Sequence, residues 1–317
     1  MYKKVVVLGG GHGMSYLVKG LKDFPVDITA VITVSDNGRS TGKLREEFHT
    51  PAVGDVRKVI ENLSQVDDSI KKMLGYRFNT SSDLNGHALG NLILTAMMDV
   101  TGSFKDSIKK LCELLGVKST VLPVSEDSDL TLMGETEDGL IIEGEEQITK
   151  ANKKIKRIFY KKEPKVLSEV INAFKEADLI IFSMGSLFTS ILPIVICEDV
   201  QKVLNESKAP IMYTCNIVTQ PGETDKFKVS DHIKLINEYL DKKKIDVVIA
   251  NNGKIDSKMA KKYETSEQKD PVEVDYEEIK KLKVDLITDN LVTIDDNTLK
   301  HDSLKLSSLI FSYLMRK

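Results

Sequence analysis

The chain has 317 residues, 41% of them apolar, enough to bury one large α/β core or two smaller ones. Its 45 Lys and Arg nearly balance 48 Asp and Glu, and a net charge of -3 excludes a strongly basic nucleic-acid binder. Cys112, Cys197 and Cys215 lie far apart with no CxxC pair, which excludes a disulfide framework or zinc site and fits a reducing cytoplasm.

In chain order, the β-branched run over residues 4–8 predicts a buried parallel strand. It is too short for the apolar region of a signal peptide and runs into Gly9-Gly10-Gly11-His12-Gly13. A helix is expected from Met14 to Lys22 and a second strand from Ile28 to Thr33. Helical spacing of Val56, Val59, Ile60 and Leu63, then of Leu89, Leu92, Ile93, Ala96 and Met97, predicts a helical layer packed on the early strands. An Asp138-Gly139 turn between Thr131-Leu132-Met133 and Leu140-Ile141-Ile142 predicts a hairpin, with Arg157–Tyr160 as a third strand. We therefore expect an antiparallel insertion over 120–165. Strands at 179–182, 211–214 and 246–250 then alternate with helices, and a final amphipathic helix is expected to pack on its own sheet or on a second copy. No apolar run approaches the ~20 residues that cross a bilayer. The expectation is a single domain over 1–317, α/β, with a Rossmann-like doubly wound, mostly parallel sheet, helical layers and that small insertion. It is expected in the cytoplasm, with no membrane or nucleic-acid partner.

The predicted strands end in small and amide residues, and in an open parallel sheet those ends line one crevice. Gly9 to Gly13 lie between a strand and a helix start, the context of a phosphate-binding turn or of a plain tight turn. The dinucleotide fingerprint fails, because Met14 stands at its third glycine, so a nicotinamide site is disfavoured. His12 reads as a hydrogen-bonding group rather than a base. The second strand runs into Ser35-Asp36-Asn37-Gly38-Arg39-Ser40-Thr41-Gly42, a loop suited to a phosphate or a cation, or simply an exposed loop. Asp55 is either a helix cap or a second carboxylate that joins Asp36 on Mg²⁺. His87 and Asn91 lie one turn apart on a helix. Ser183-Met184-Gly185-Ser186 opens another helix and reads as a second diphosphate cradle, or as capping by Ser186. Asn216, Thr219 and Gln220 follow the next strand and suit the edge of a base or the hydroxyls of a sugar.

Taken in succession, these blocks resemble the YvcK group of gluconeogenesis-factor, UDP-N-acetylglucosamine-binding proteins, within the CofD-like superfamily. The blocks are Gly9-Gly10-Gly11, residues 35–45, Gly54-Asp55-Val56-Arg57, Gly86-His87-Ala88-Leu89-Gly90-Asn91, Gly185-Ser186-Leu187 with Thr189-Ser190-Ile191-Leu192-Pro193, and Cys215 to Thr224. The resemblance implies a cytoplasmic regulator that binds a UDP-sugar and links carbon supply to cell-wall growth and cell shape. It carries Leu187 and Thr189 into the ligand site. Beside it, Tyr263 in a lysine-rich segment reads as a residue to stack on a base and Lys300 as one to reach a phosphate, or both as plain surface residues. It also implies phosphorylation by a serine/threonine kinase; a homodimer is expected on general grounds. The alternative is a Mg²⁺-dependent CofD-like phosphoryl or nucleotidyl transferase. This chain departs from the group's usual pair of aspartates with Asp36-Asn37, and Arg39 there offers a charge that holds a diphosphate without metal.

Overall fold

A computed structural model describes residues 2–295 and 298–316. The strands, in chain order, are β1 (Lys3–Gly9), β2 (Val26–Ile32), β3 (Thr120–Pro123), β4 (Leu132–Thr136), β5 (Ile141–Glu143), β6 (Ile155–Tyr160), β7 (Leu179–Phe182), β8 (Ile211–Thr214), β9 (Val247–Asn251), β10 (Asp285–Asp289), β11 (Val292–Asp295) and β12 (Thr298–His301). Seven of them form one parallel sheet in the order β10-β9-β8-β7-β1-β2-β3. Helices cover both faces of such a sheet, so its inner strands must be apolar on both sides. Val5 to Leu8 and Leu179 to Phe182 are accordingly buried. This is the Rossmann-like α/β sheet that the sequence predicts.

Strand order runs outward from the middle in both directions. The chain moves from β1 to β2 to β3 on one side, then from β7 to β8, β9 and β10 on the other. The reversal falls between β1 and β7, where an open α/β sheet leaves a crevice beyond its carboxyl ends.

Helices α1 (Gly11–Leu21), α2 (Arg39–Phe48), α3 (Val53–Leu63), α4 (Asp68–Gly75), α5 (Leu89–Thr101) and α6 (Phe104–Leu114) precede β3, and α7 (Glu145–Ala151) lies between β5 and β6. Helix α1 starts at Gly11 rather than Met14, so the glycine cluster forms its first turn. The C-terminal helix Ser303–Arg316 packs on α1 within the same chain. A Cβ on Gly20 would lie 2.3 Å from the Ser303 carbonyl oxygen, and the Phe24 and Phe311 rings lie 5.4 Å apart.

Three expectations need correction. The segment expected to begin the insertion, Thr120–Pro123, is the edge strand of the main sheet, paired in parallel with β2. The antiparallel sheet proper has the order β5-β4-β6, with the expected turn at Gly139 (φ +83°). Helix α7 interrupts it, and no apolar period in the polar run Glu145–Ala151 announces a helix. Third, the expected stripe is not the most buried side of α5: Gly90, Asn91, Leu94 and Thr95 are buried, whereas Leu92, Ile93 and Met97 pack half-buried against the core and Ala96 is exposed. Among the described residues no helix is long and apolar enough to cross a membrane.

Candidate functional site

Three adjoining hollows form a crevice at the carboxyl ends of the central strands. The first, about 600 Å³, is lined by His12, Asp36, Arg39, Arg57, Lys58 and Arg77, among others. It shares His12 and Tyr16 with a second hollow of about 460 Å³, walled by Leu299 and Lys300. The second shares Gly13, Met184 and His301 with a third of about 200 Å³, lined by Gly185, Ser186, Asn216 and Gln220. One end of the crevice is therefore rich in charge and the other in amides and apolar surface.

Glycines allow this convergence. A Cβ on Gly13 would stand 2.1 Å from the Met184 carbonyl oxygen, so only glycine lets α1 touch the turn after β7. A Cβ on Gly10 would stand 2.6 Å from Asp55 Oδ2 and 2.8 Å from Thr33 Cγ2, so the turn after β1 closes directly on α3 and β2. With no side chain at Gly10 or Gly11, the amides that open α1 remain uncovered by carbon. Across the crevice Asn216 receives the Gly185 N–H on Oδ1 and donates Nδ2 to the Gly185 carbonyl, both at 2.8 Å, which fixes the turn after β7 to the loop after β8.

Several predicted residues thus come together: His12, Gly13, Asp36, Gly38, Arg39, Ser40, Asn91, Gly185, Ser186, Asn216, Thr219, Gln220 and Lys300 line the crevice. Gly9, Gly10 and Gly11 shape the turn beneath it. Others take structural posts. Asn37 turns to α7, where its Oδ1 accepts the Glu146 N–H at 2.9 Å and its Nδ2 donates to Gln147. His87 is buried, with Nδ1 3.1 Å from Ser40 Oγ. Leu187 and Thr189 are buried in the π-helical turn Leu187–Ile191, which Ser186 caps by accepting the Thr189 N–H at 3.0 Å. The Tyr263 ring is buried and its hydroxyl accepts the Leu299 N–H at 2.8 Å, so it braces β12 and lies outside the crevice lining. Lys300 does reach the crevice, ion-paired to Asp295 at 2.6 Å and 4.8 Å from the centre of the Tyr16 ring.

Some lining residues escaped the sequence reading. Lys58 pairs with Asp55 at 3.0 Å, and its spacing of three residues on one helix was a usable signal. Arg77 lies in an irregular segment and gave none. Arg57, visible in the sequence as the arginine of Gly54-Asp55-Val56-Arg57, is buried; its Nε donates to Asn91 Oδ1 at 2.9 Å and its Nη1 bonds Glu61. Asn91 in turn donates Nδ2 to Ser40 Oγ at 3.1 Å. This chain of contacts aims one guanidinium at the first hollow. Arg45, by contrast, is spent on the carbonyls of Ser35, Asp36, Ser128 and Leu130.

Burial raises the carboxyl of Asp36 above its ordinary value, and the nearby Asp55 charge adds to this. Burial, reinforced by Asp36, pushes Glu145 up to about 8, and burial pushes Glu223, which accepts from the Ser186 hydroxyl, up to about 7. The His301 ring, also buried, falls to about 4 and is neutral at pH 7. A carboxyl whose folded pKa exceeds its unfolded value of ~4.3 stabilises the fold when protonated. That stability is present below about pH 4 and is lost as pH rises through 7 to 8. Glu145→Gln should therefore flatten the decline in urea stability measured between pH 5 and pH 8; an unchanged slope would contradict the burial of this carboxyl.

Comparison with known proteins fits this architecture. A family model described as 2-phospho-L-lactate transferase CofD matches residues 5–292. The chain belongs to the CofD family. This CofD-family chain is 40% identical over 312 residues to the gluconeogenesis factor of Bacillus subtilis, covering 98% of each. It is 41% identical over 313 residues to the putative gluconeogenesis factor of Thermotoga maritima, covering 97% of this chain and 98% of that one. Among solved structures, a Bacillus halodurans protein superposes with a TM-score of 0.94 at 41% identity, covering 98% of this chain and 100% of the other. A second crystal structure from that organism, described as a member of the UPF0052 family, gives 0.93 at 41% identity, covering 97% and 99%.

Proposed function

We propose that this CofD-family chain binds a nucleoside diphosphate sugar, UDP-N-acetylglucosamine first among them, in the crevice between the turns after β1 and β7. The observation that carries this reading is the crevice's division of labour. The cations Arg39, Arg57, Lys58 and Arg77 stand at one end, where a diphosphate needs charge. The other end offers Asn216, Thr219, Gln220 and the apolar Ile217 and Leu299, suited to a base and a sugar. In this reading the protein is a cytoplasmic regulator that couples carbon supply to cell-wall growth and cell shape. Its kinship with proteins called gluconeogenesis factors supports a metabolic role.

Titration calorimetry with UDP-N-acetylglucosamine, UDP-glucose, GTP and NAD tests it. The expected result is binding of the UDP-sugars, accompanied by a melting point that rises with their concentration. Binding of none of them, or a preference for NAD, overturns the reading.

A second reading has its own observation. Asp36 and Asp55 lie near each other: Asp36 Oδ2 stands 3.2 Å from a Cβ built on Gly54, the residue before Asp55, and the Asp55 charge helps raise the Asp36 carboxyl. Such a pair fits Mg²⁺, which takes few carboxylates and completes its shell with water and phosphate. No group of three or more His, Cys, Asp or Glu among the described residues is arranged to hold a metal. In a CofD-like transferase Asp36 and Asp55 would hold the ion, which would neutralise charge on the transferred phosphoryl group. Arg57 and Lys58 would orient its oxygens. Product formation that requires Mg²⁺ and disappears in Asp55→Asn would favour this reading; metal-independent binding without turnover would favour the first.

A further inference from the structure

The middle of the crevice presents a lone pair rather than a proton. His301 closes β12, is buried, and lines both the second and the third hollow. Its Nε2 lies 3.1 Å from the Cys215 carbonyl oxygen. A carbonyl oxygen only accepts, so Nε2 carries the ring proton and donates it there. Burial holds the ring down at about 4, so at pH 7 it takes no second proton. Nδ1 is therefore a bare acceptor. It has no hydrogen-bond partner among the described residues and is not sealed in by protein. The fold itself sets this tautomer, because β12 and the loop after β8 hold the ring and the carbonyl together.

The neighbouring groups sharpen the demand for a donor. Gln220 Oε1, in the third hollow, is buried and also lacks a partner. The two cations beside these acceptors are already engaged, Lys300 with Asp295 at 2.6 Å and Lys269 with Glu267 at 2.8 Å. A diphosphate offers only acceptor oxygens, so against Nδ1 it would set lone pair against lone pair and leave both unpaired. A hydroxyl or an N–H satisfies the site.

We propose that His301 Nδ1 accepts a ribose hydroxyl, so that the crevice discriminates against a nucleotide lacking it. That role presupposes a nucleotide in the crevice, as proposed above. The order of the hollows singles out the ribose. The first hollow holds the cations that a diphosphate needs, and the third holds the amides that suit a base. A ribose joins those two parts of a nucleotide. The second hollow joins the first and third in the same way, sharing His12 and Tyr16 with one and His301 with the other. A deoxy ligand would cover Nδ1 with carbon and hydrogen, shutting out water without supplying a donor.

Calorimetry on the full chain compares UDP-N-acetylglucosamine with its 2′-deoxy and 3′-deoxy forms. One of the two is expected to bind about 10- to 100-fold more weakly than the parent. In His301→Gln the side-chain amide reaches the Nε2 position and keeps a donor for the Cys215 carbonyl, but no acceptor stands where Nδ1 was. The penalty should then shrink to less than about 3-fold, with the melting temperature of the free protein close to that of the wild type. His301→Asn places Oδ1 near the Nδ1 position and should regain part of the penalty. A purely structural histidine would weaken all three ligands alike and leave their ratios unchanged. Parent and both deoxy forms binding within about 2-fold of one another, or a penalty that survives intact in His301→Gln, overturns the assignment. Failure of the parent itself to bind is a separate result, which sinks the nucleotide reading and this role with it.

Discussion

Gly13→Ala is expected to destabilise the chain by about 3 kcal/mol or more. The added methyl group would meet the Met184 carbonyl at 2.1 Å from oxygen and 2.7 Å from carbon. Those are backbone atoms, and they cannot swing aside as a long side chain would. The turn that carries them is anchored by the two hydrogen bonds between Asn216 and Gly185. Relief would require α1 to move off β7, which opens the middle of the sheet. The comparison is Gly11→Ala. Gly11 has φ +65°, and nothing lies nearer to its Cβ position than Asp55 Oδ2 at 4.0 Å. Only the left-handed backbone then costs, about 1–2 kcal/mol. Urea unfolding of both variants measures the difference. Equal losses, or a loss below about 1 kcal/mol at Gly13, would mean that the contact between the two turns is not fixed.

Arg57→Ala should have the largest effect on ligand binding. Its guanidinium is buried, ion-paired to Glu61 and bonded to Asn91. Removing it leaves a part-buried carboxylate without its cation. Burial already raises Glu61 above its ordinary value, and Arg57 opposes that rise. Loss of one partner of a buried pair costs about 3–5 kcal/mol. The same change removes a fixed charge from the first hollow, so affinity for a nucleoside diphosphate should fall on the order of 100-fold. Arg57→Lys keeps the charge but not the planar fork, and should recover stability better than binding. Calorimetry and urea unfolding together separate the two losses. Unchanged affinity in a folded Arg57→Ala chain would place the diphosphate elsewhere.

The order of residues along the chain is informative where structure is local. Continuous apolar runs such as Val5 to Leu8 must be buried on both faces, and they end in glycines that admit tight turns, so strands and crevice loops are both legible. The Asp138-Gly139 turn is legible for the same reason. The antiparallel strands around it follow from that turn, whereas the partner of Thr120–Pro123 does not, since a parallel edge strand has no local partner to declare it. Periodicity located α5 but not its orientation. Leu89, Leu92, Ile93 and Ala96 define a stripe, and a stripe specifies spacing alone.

What the sequence determined by itself is therefore the order of most strands, turns and helices, α7 and the edge strand β3 excepted, because each of the others follows from the side chains and backbone freedom of a few consecutive residues. Tertiary structure alone decided which groups meet. Ser40, Arg57, His87 and Asn91 form one network although Ser40 and Asn91 are 51 residues apart. It also moved Asn37, His87 and Tyr263 out of the crevice and brought Lys58, Arg77 and His301 into it. The physical reason is that hydrogen bonds and ion pairs act over a few ångströms in space, and the sheet sets that separation regardless of distance along the chain.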